Sequence, residues 1–310
     1  MKIVKYYLEM EQRKKLLVTG ASGFLGWNLV NTAKAHWDVF GIYKRHHDTI
    51  KDVSMVRIDL TENTDLKRCF NEIRPDAVIH TAALSNPNYC EVHPVESRKA
   101  NVDASIAIAG LCASLSIPLV FTSTDLVFDG SSPPYPETHA VNPVNVYGEH
   151  KAMAEEMMMR TYPKTTICRM PLMFGYSGSV NKGFTAEMIL SLTQGKPLTL
   201  FSDEYRTPVD AQSASTGLLF FLSGANGETI HLGGNTRISR FEMGRLTADL
   251  LSCDTRGIIS LKQKDMPMPA KRPADVSLDS SKARSMGYAP LDIKDALTAT
   301  IEVMDVLRSH

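Results

Sequence analysis

Tyr147 and Lys151 stand four residues apart in Val146-Tyr147-Gly148-Glu149-His150-Lys151, at the head of a run that continues through Ala152, Met153 and Met158. Four residues is about one helical turn, so both side chains leave the same face. A free phenol titrates near ~10 and is a poor acid at neutral pH. A lysine cation one turn away favours the phenolate, which brings the phenol toward a useful range for proton transfer. The bland alternative is a helix start with a surface tyrosine and lysine, because Tyr-x-x-x-Lys arises often by chance. The rest of the chain decides between them.

A hydroxyl partner for the phenol is available. Pro118 to Thr122 reads as a strand, and Ser123-Thr124-Asp125 follows at its carboxyl end, where open α/β sheets bind ligands. A loop, Val127-Phe128-Asp129-Gly130 and the Pro-rich stretch to Glu137, separates Thr124 from Tyr147 and is long enough to bring them together.

The elements that position these groups begin with Lys15-Leu16-Leu17-Val18-Thr19, a short buried strand. It runs into Gly20-Ala21-Ser22-Gly23-Phe24-Leu25-Gly26 and then into a helical stretch through Leu29, Val30 and Ala33. Strand, glycine turn and helix form the context of a dinucleotide-binding fingerprint. Gly20 allows the tight turn, Gly23 lets backbone amides approach a pyrophosphate, and Gly26 lets the helix pack on the sheet. Ser22, Phe24 and Leu25 belong to the same turn.

A second strand, 38–43, ends in Lys44-Arg45-His46-His47. An acidic residue there would favour NAD; basic residues suit a 2′-phosphate, so NADPH is the expected cofactor, with NADH the alternative. A third strand, Val56 to Ile58, leads to Asp59-Leu60, placed to reach an adenine. A helix from Thr64 to Ile73 and a strand Ala77 to His80 precede Thr81-Ala82-Ala83, small residues over which a cofactor can lie. His80 reads as packed rather than catalytic. Asn101 falls early in an Ala-rich helix reaching Leu115 and is expected to anchor backbone near Lys151, or to be a surface amide. A sixth strand, 165–169, ends at Pro171. Beyond it the strand–helix alternation loosens, with a Gly/Ser-rich segment at 175–185, helices at 210–223 and 240–251, and a strand candidate at 228–232.

The 310 residues are 43% hydrophobic, enough for a large α/β domain or a domain with a smaller lobe. Lys+Arg and Asp+Glu are 34 each, so bulk charge calls for neither nucleic acid nor an anionic membrane. No apolar run approaches a membrane span, and the first residues have no signal-peptide pattern. Five scattered cysteines without Cys-x-x-Cys suggest reduced thiols, a cytoplasmic location and no metal site.

Four segments together resemble the extended short-chain dehydrogenase/reductases: Thr19 to Gly26, His80 to Ala83, Ser123-Thr124-Asp125-Leu126-Val127-Phe128-Asp129-Gly130, and Asn142 to Lys151. The branch most similar is that of dTDP-4-dehydrorhamnose reductase, over residues 14–300 and including Arg272-Pro273 and Leu278 to Lys282. The resemblance implies a Rossmann-type doubly wound parallel sheet with a smaller C-terminal substrate-binding lobe. Residues 15–170, with 208–236 returning, would bind the dinucleotide; 171–207 and 237–310 would form the lobe, and 1–14 an extension. It also implies reduction of a nucleotide-linked 4-keto-6-deoxy sugar. Tyr147 would donate a proton to the keto oxygen, Thr124 would hydrogen-bond it, and Lys151 would hold the nicotinamide ribose. Thr122 would join the cofactor wall, and backbone around Pro171 and Met173 would meet the carboxamide. Ser85, Asp125, Leu126 and Val127 would line the sugar, and Lys182, Arg206 and Arg272 would face its diphosphate. A homodimer is the assembly this family would suggest.

Leu126 departs from the tyrosine that rhamnose reductases carry after Ser-Thr-Asp, and Tyr205 to Asp210 replaces their Gly-x-Pro-Thr segment. A 4,6-dehydratase would place Asp-Glu after Thr124, which Leu126 contradicts. An epimerase would use the same Thr, Tyr and Lys; an epimerase–reductase needs a further Cys/His acid–base pair, for which Cys90, His93 and His139 are the loop candidates. A non-catalytic alternative is the regulatory β subunit of methionine adenosyltransferase, which resembles Val127 to Glu137 closely and binds NADP and a partner enzyme.

Overall fold

The computed structural model describes residues 13–178, 183–222, 224 and 226–308. The expected N-terminal extension falls almost wholly outside them. The first half alternates β1 (Lys15–Thr19), α1 (Phe24–Ala33), β2 (Asp38–Tyr43), β3 (Val53–Arg57), α2 (Asn63–Ile73), β4 (Ala77–His80), α3 (Pro87–Val92), α4 (Pro94–Arg98), α5 (Ala104–Leu115), β5 (Leu119–Thr124), α6 (Val146–Thr161) and β6 (Thr166–Met170). The second half contains β7 (Met173–Phe174), α7 (Gly183–Thr193), β8 (Leu198–Phe201), β9 (Tyr205–Arg206), β10 (Val209–Asp210) and α8 (Ala211–Leu222). It ends with β11 (Thr229–His231), β12 (Ile238–Ser239), α9 (Arg240–Leu250), β13 (Ile258–Leu261), α10 (Ser281–Ser285) and α11 (Ile293–Arg308).

Seven strands form one parallel sheet in the order β11-β6-β5-β4-β1-β2-β3. Strand order reverses between β1 and β4, and the crevice beyond their carboxyl ends is where such sheets take ligands. Both faces are covered, so the strands read as continuous apolar runs rather than alternating ones. In β1 successive side chains serve opposite layers. Leu16 and Val18 pack with Leu29, Val30, Leu218 and Phe221 beneath α1 and α8. Leu17 packs with Phe70, Ile108, Phe121 and Met158 beneath α2, α5 and α6. Truncating a fully buried leucine of this kind costs about 2–5 kcal/mol.

A third core, with Phe174, Met188, Leu200, Met243 and Leu297, joins α7, α9 and α11 around the parallel pair β8–β13. The short pairs β7–β10 and β9–β12 connect this region to the end of the large sheet. No helix among the described residues is long and apolar enough to cross a membrane.

Two local features differ from the sequence expectation. The third strand begins earlier and ends at Arg57, leaving Ile58 to point into the site region. The Ala-rich helix is not continuous: one turn of wider π geometry, Lys99–Asp103, separates α4 from α5. Such turns re-aim side chains and recur at functional sites.

Candidate active site

At the carboxyl ends of β1 and β4 lies a cavity of about 510 Å³. Gly20, Ser22, Gly23, Phe24, Leu25 and Gly26 form one wall. Gly20 has φ of +69°, and a Cβ there would meet the Ala82 Cα at 2.7 Å. A Cβ on Gly26 would run into the Gly20 carbonyl, so the helix packs this closely only with glycine. Gly23 is the N-cap of α1 and offers no side-chain cap. The first-turn amides of α1 therefore keep their donors and the positive end of the helix dipole for an anion. A dinucleotide pyrophosphate fits this cradle.

Toward the end of β2, Lys44, Arg45, Asp59 and Leu60 line the same cavity. Lys44 Nζ pairs with Asp59 at 2.8 Å, and Asp59 also accepts from the Thr61 amide and hydroxyl at 3.1 and 2.8 Å. Burial alone would raise this carboxyl, but the hydrogen bonds from Lys44 and Thr61 outweigh it and hold it below its usual range. Ile42, Tyr43, Ile58 and Thr61 complete this end. They escaped sequence reading because strand ends carry no signature beyond apolarity.

Thr81, Ala82, Ala83 and Ser85 form the facing wall, together with Leu84. Asn101 is not on it. Its side-chain oxygen accepts from the Leu84 amide at 2.9 Å and its amide donates to the Leu84 carbonyl at 3.1 Å. The π turn aims Asn101 at the loop rather than at the cavity, so it braces the wall from behind. Pro171 is also buried off the wall, whereas Met170 and Met173 are on it.

Thr122, Ser123, Tyr147 and Lys151 line the far end. Asn145 caps α6 by accepting from the Gly148 amide at 2.9 Å. A side chain at Gly148 would collide with the Leu126 carbonyl and come within 2.9 Å of the Pro143 Cβ, so glycine lets the helix start press against the turn 125–127. Tyr147 and Thr124 are 8% and 7% exposed, and the Thr124 hydroxyl lies near enough to the phenol to act on its pKa.

The electrostatics correct one expectation. Tyr147 is pushed up, not down: burial acts first, then the charges of Asp125 and Cys90, with only the neighbouring Thr124 side chain opposing them. Lys151 is 1% exposed, and burial brings its ammonium down to about 7 against the opposing pull of Glu155. Its Nζ sits 3.9 Å from the Phe121 ring centroid. The four-residue spacing places both groups on the cavity, but the burial that lowers the lysine also weakens the charge that would support a phenolate. His80 is held between Thr19 and Ser105 hydroxyls at 2.6 and 2.9 Å, and burial then Lys151 lower it to about 3. It is a neutral brace.

Beyond Thr124, Asp125 is buried with Arg206, their Oδ2 and Nε 3.2 Å apart. Arg240 pairs with Glu204 at 3.6 Å, and Arg272 donates to Asn88 at 3.4 Å. Arg240 and Arg272 each sense both Glu204 and Arg206. Glu204 and Arg240 were missed because only the fold brings them beside Asp125. Leu126 packs with Cys90 and Tyr147. Val127 does not face a ligand: it is fully buried with Phe128, Tyr135, Val276 and Leu278, because the turn 125–127 rotates it into the core. Lys182 lies outside the described residues. Ser123, absent from the sequence expectation, has a buried hydroxyl without a hydrogen-bond partner on the cavity wall.

The loop candidates for an extra acid–base pair do not converge. Cys90 is buried in α3 and donates to the Leu84 carbonyl at 3.1 Å, His93 packs at a tilt against Tyr89, and His139 packs against Phe128 and Tyr135. No group of three or more metal-ligating residues exists among the described residues.

A probable low-salt glycan biosynthesis reductase of Haloferax volcanii is 28% identical over 287 residues, covering 91% of this chain and 95% of that protein. Methionine adenosyltransferase 2 subunit beta of Bos taurus is 24% identical, covering 88% and 83%. A solved structure described as a hypothetical dTDP-4-dehydrorhamnose reductase from Sulfolobus tokodaii is 30% identical with a TM-score of 0.79, over 91% of this chain and 98% of that one. The dTDP-4-dehydrorhamnose reductase of Bacillus anthracis, solved with NADP, matches in fold with a TM-score of 0.83 at 20% identity, covering 94% and 99%. The model of the RmlD substrate binding domain matches residues 14–306, and the chain belongs to this RmlD-like family of sugar-nucleotide reductases within the extended short-chain dehydrogenase/reductases.

Proposed function

We propose that the protein is an NADPH-dependent reductase of a nucleotide-linked 4-keto-6-deoxy sugar. The observation that carries this reading is that Tyr147 and Lys151, with Thr124 beside the phenol, stand at one end of a cavity whose other end bears Lys44 and Arg45. A bound reduced nicotinamide supplies the hydride. Tyr147 gives its phenolic proton to the keto oxygen, and its raised pKa keeps that proton in place until the oxygen acquires charge. Thr124 hydrogen-bonds the same oxygen. Lys151 holds the ribose hydroxyls and, once charged, stabilises the phenolate that remains. Gly20 to Gly26 take the pyrophosphate, Lys44 and Arg45 the 2′-phosphate, and Arg206 and Arg272 the diphosphate of the sugar nucleotide. The dinucleotide domain comprises residues 15–170 and 208–236, with the remainder of the second half closing over the sugar.

The direct test is loss of NADPH absorbance with enzymatically prepared dTDP-4-keto-6-deoxy-L-mannose, beside NADH and a Tyr147→Phe control. Tyr147-dependent oxidation supports the reductase; tight NADPH binding without oxidation of any keto sugar overturns it. A second reading, a regulatory NADP-binding subunit, draws on the similarity to the methionine adenosyltransferase 2 beta subunits of several vertebrates at 24–26% identity. Capture of a methionine adenosyltransferase catalytic subunit by the purified chain would favour that reading.

A further inference from the structure

We propose that Asp125 is a positioning residue that holds the Thr124 hydroxyl proton away from the reaction centre until a diphosphate engages Arg206; this rests on the sugar-nucleotide reading above. Thr124 has one hydroxyl proton and donates it to Asp125 Oδ1 at 3.2 Å, while its oxygen accepts from the Leu126 amide at 3.2 Å. The same proton is the one a keto oxygen needs. One hydroxyl cannot donate in both directions, so the orientation in this structure has to change before Thr124 can serve a substrate.

What keeps Asp125 ionised is visible. Its Oδ2 is buried without a hydrogen bond and has only the Arg206 guanidinium, 3.2 Å away but poorly aligned. Arg206 donates instead to its own residue's neighbour, the Tyr205 carbonyl, at 3.1 Å. The charged or titratable groups that act on Asp125 are Arg206 of β9, Arg240 at the start of α9, and Tyr147 of α6; Glu204 and Arg272 form the next ring. Three guanidinium groups against the carboxylates of Asp125 and Glu204 leave one positive charge, which suits an anion. Burial already raises Asp125 to about 6 despite Arg206, Thr124 and Arg240.

A diphosphate that draws Arg206 to itself removes the nearest compensating charge from a buried carboxylate. Asp125 then takes one proton from solvent. The neutral carboxyl O–H donates to the Thr124 oxygen, and the Thr124 hydroxyl turns to the ligand. Atoms and charge balance with a single proton taken up from buffer and no redox change.

The experiment is calorimetric titration of the full-length chain, saturated with NADP, with dTDP-glucose at pH 7.5 in two buffers of different ionisation enthalpy. The diphosphate of dTDP-glucose does not titrate near neutrality, so proton exchange reports the protein. Wild type is expected to take up close to one proton per site, and Asp125→Asn none. Binding by wild type without proton uptake overturns the inference and leaves the reductase reading to its own assay. Uptake that persists in Asp125→Asn overturns it as well, by placing the proton elsewhere. Failure of wild type to bind dTDP-glucose overturns the step at Arg206, whatever the NADPH assay shows. Should Asp125→Asn fail to fold, Asp125→Ser takes its place in the variant arm on the same criterion, and absence of proton uptake by wild type still overturns the inference.

Discussion

Asn145 donates its side-chain amide to the Lys271 carbonyl at 3.0 Å while its side-chain oxygen accepts from the Gly148 amide at 2.9 Å. One residue therefore caps the helix that carries Tyr147 and fixes the backbone next to Arg272. The relation joins the proton donor to a cation of the proposed diphosphate site through a rigid element rather than through a flexible loop. Asn145→Ala is expected to cost about 0.5–2 kcal/mol by loss of the cap and to raise KM for the sugar nucleotide. Asn145→Asp keeps an acceptor for the cap but loses the donor to Lys271. It should retain most of the stability and still show the raised KM. Denaturant midpoints beside steady-state kinetics separate the two effects; a wild-type KM in Asn145→Asp would show that the Lys271 link does not position Arg272.

Tyr147→Phe removes the phenolic proton at the catalytic end of the cavity while leaving the ring packed against Leu126 and Cys90. Turnover should fall by at least ~10²-fold, in the range of lost general-acid catalysis, with NADPH affinity within about twofold of wild type. Because the deleted hydroxyl is buried, the protein should lose little stability or gain slightly. Single-turnover kinetics and a fluorescence titration of NADPH test both halves. Retained turnover would place the proton donor elsewhere.

The glycine turn and the Tyr147–Lys151 spacing were legible in sequence because backbone sterics and helix pitch dictate them locally. Gly20 needs positive φ and Gly26 tolerates no Cβ, and no distant residue changes that. The charge state of Tyr147 was not legible. Sequence shows Lys151 one turn away, but Asp125 and Cys90 reach the phenol only through folding, and burial outweighs the neighbour on the helix. Val127 was misplaced for a related reason: a three-residue tight turn has neither strand nor helix period, so its facing cannot be read from alternation. Asn101 required the π turn, which Ala-rich sequence does not announce. The Glu204–Arg240 pair and the Asp125–Arg206 pair join segments far apart in the chain, where charge complementarity has too many solutions to be read without coordinates.

Lys151 makes the folded protein pH-sensitive in a defined direction. Its folded pKa is about 7 against an ordinary 10.5, so between those values the unfolded chain binds more protons. Stability from this group is therefore full above the unfolded value and is lost as pH falls toward 7. Lys151→Met keeps much of the buried aliphatic volume and removes the charge. Without cofactor it should be more stable than wild type at pH 7 by on the order of 1–3 kcal/mol, with a flatter dependence from pH 7 to 9.5, and it should be inactive. Urea unfolding at several pH values checks the slope; parallel pH dependences for the two proteins would show that Lys151 is not held partly neutral.

At the opposite end of the cavity, Lys44 already has a partner in Asp59, whereas Arg45 has no ion pair or hydrogen bond among the described residues. A 2′-phosphate approaching this end would have to share Lys44 with Asp59 but could take Arg45 outright, and a guanidinium fork matches phosphate oxygens two at a time. Arg45→Ala is therefore expected to weaken NADPH more than Lys44→Ala does. The first should cost about tenfold or more, equivalent to ~1.4 kcal/mol, and the second only a few-fold. NADH, which lacks the phosphate, should change by less than twofold in either. Combining Lys44→Glu with Arg45→Ala places a carboxylate where the phosphate would lie and should turn the preference toward NADH. Dissociation constants for both cofactors across the variants decide the matter, since equal losses for NADPH and NADH would mean that these residues shape the pocket without reading the 2′-phosphate.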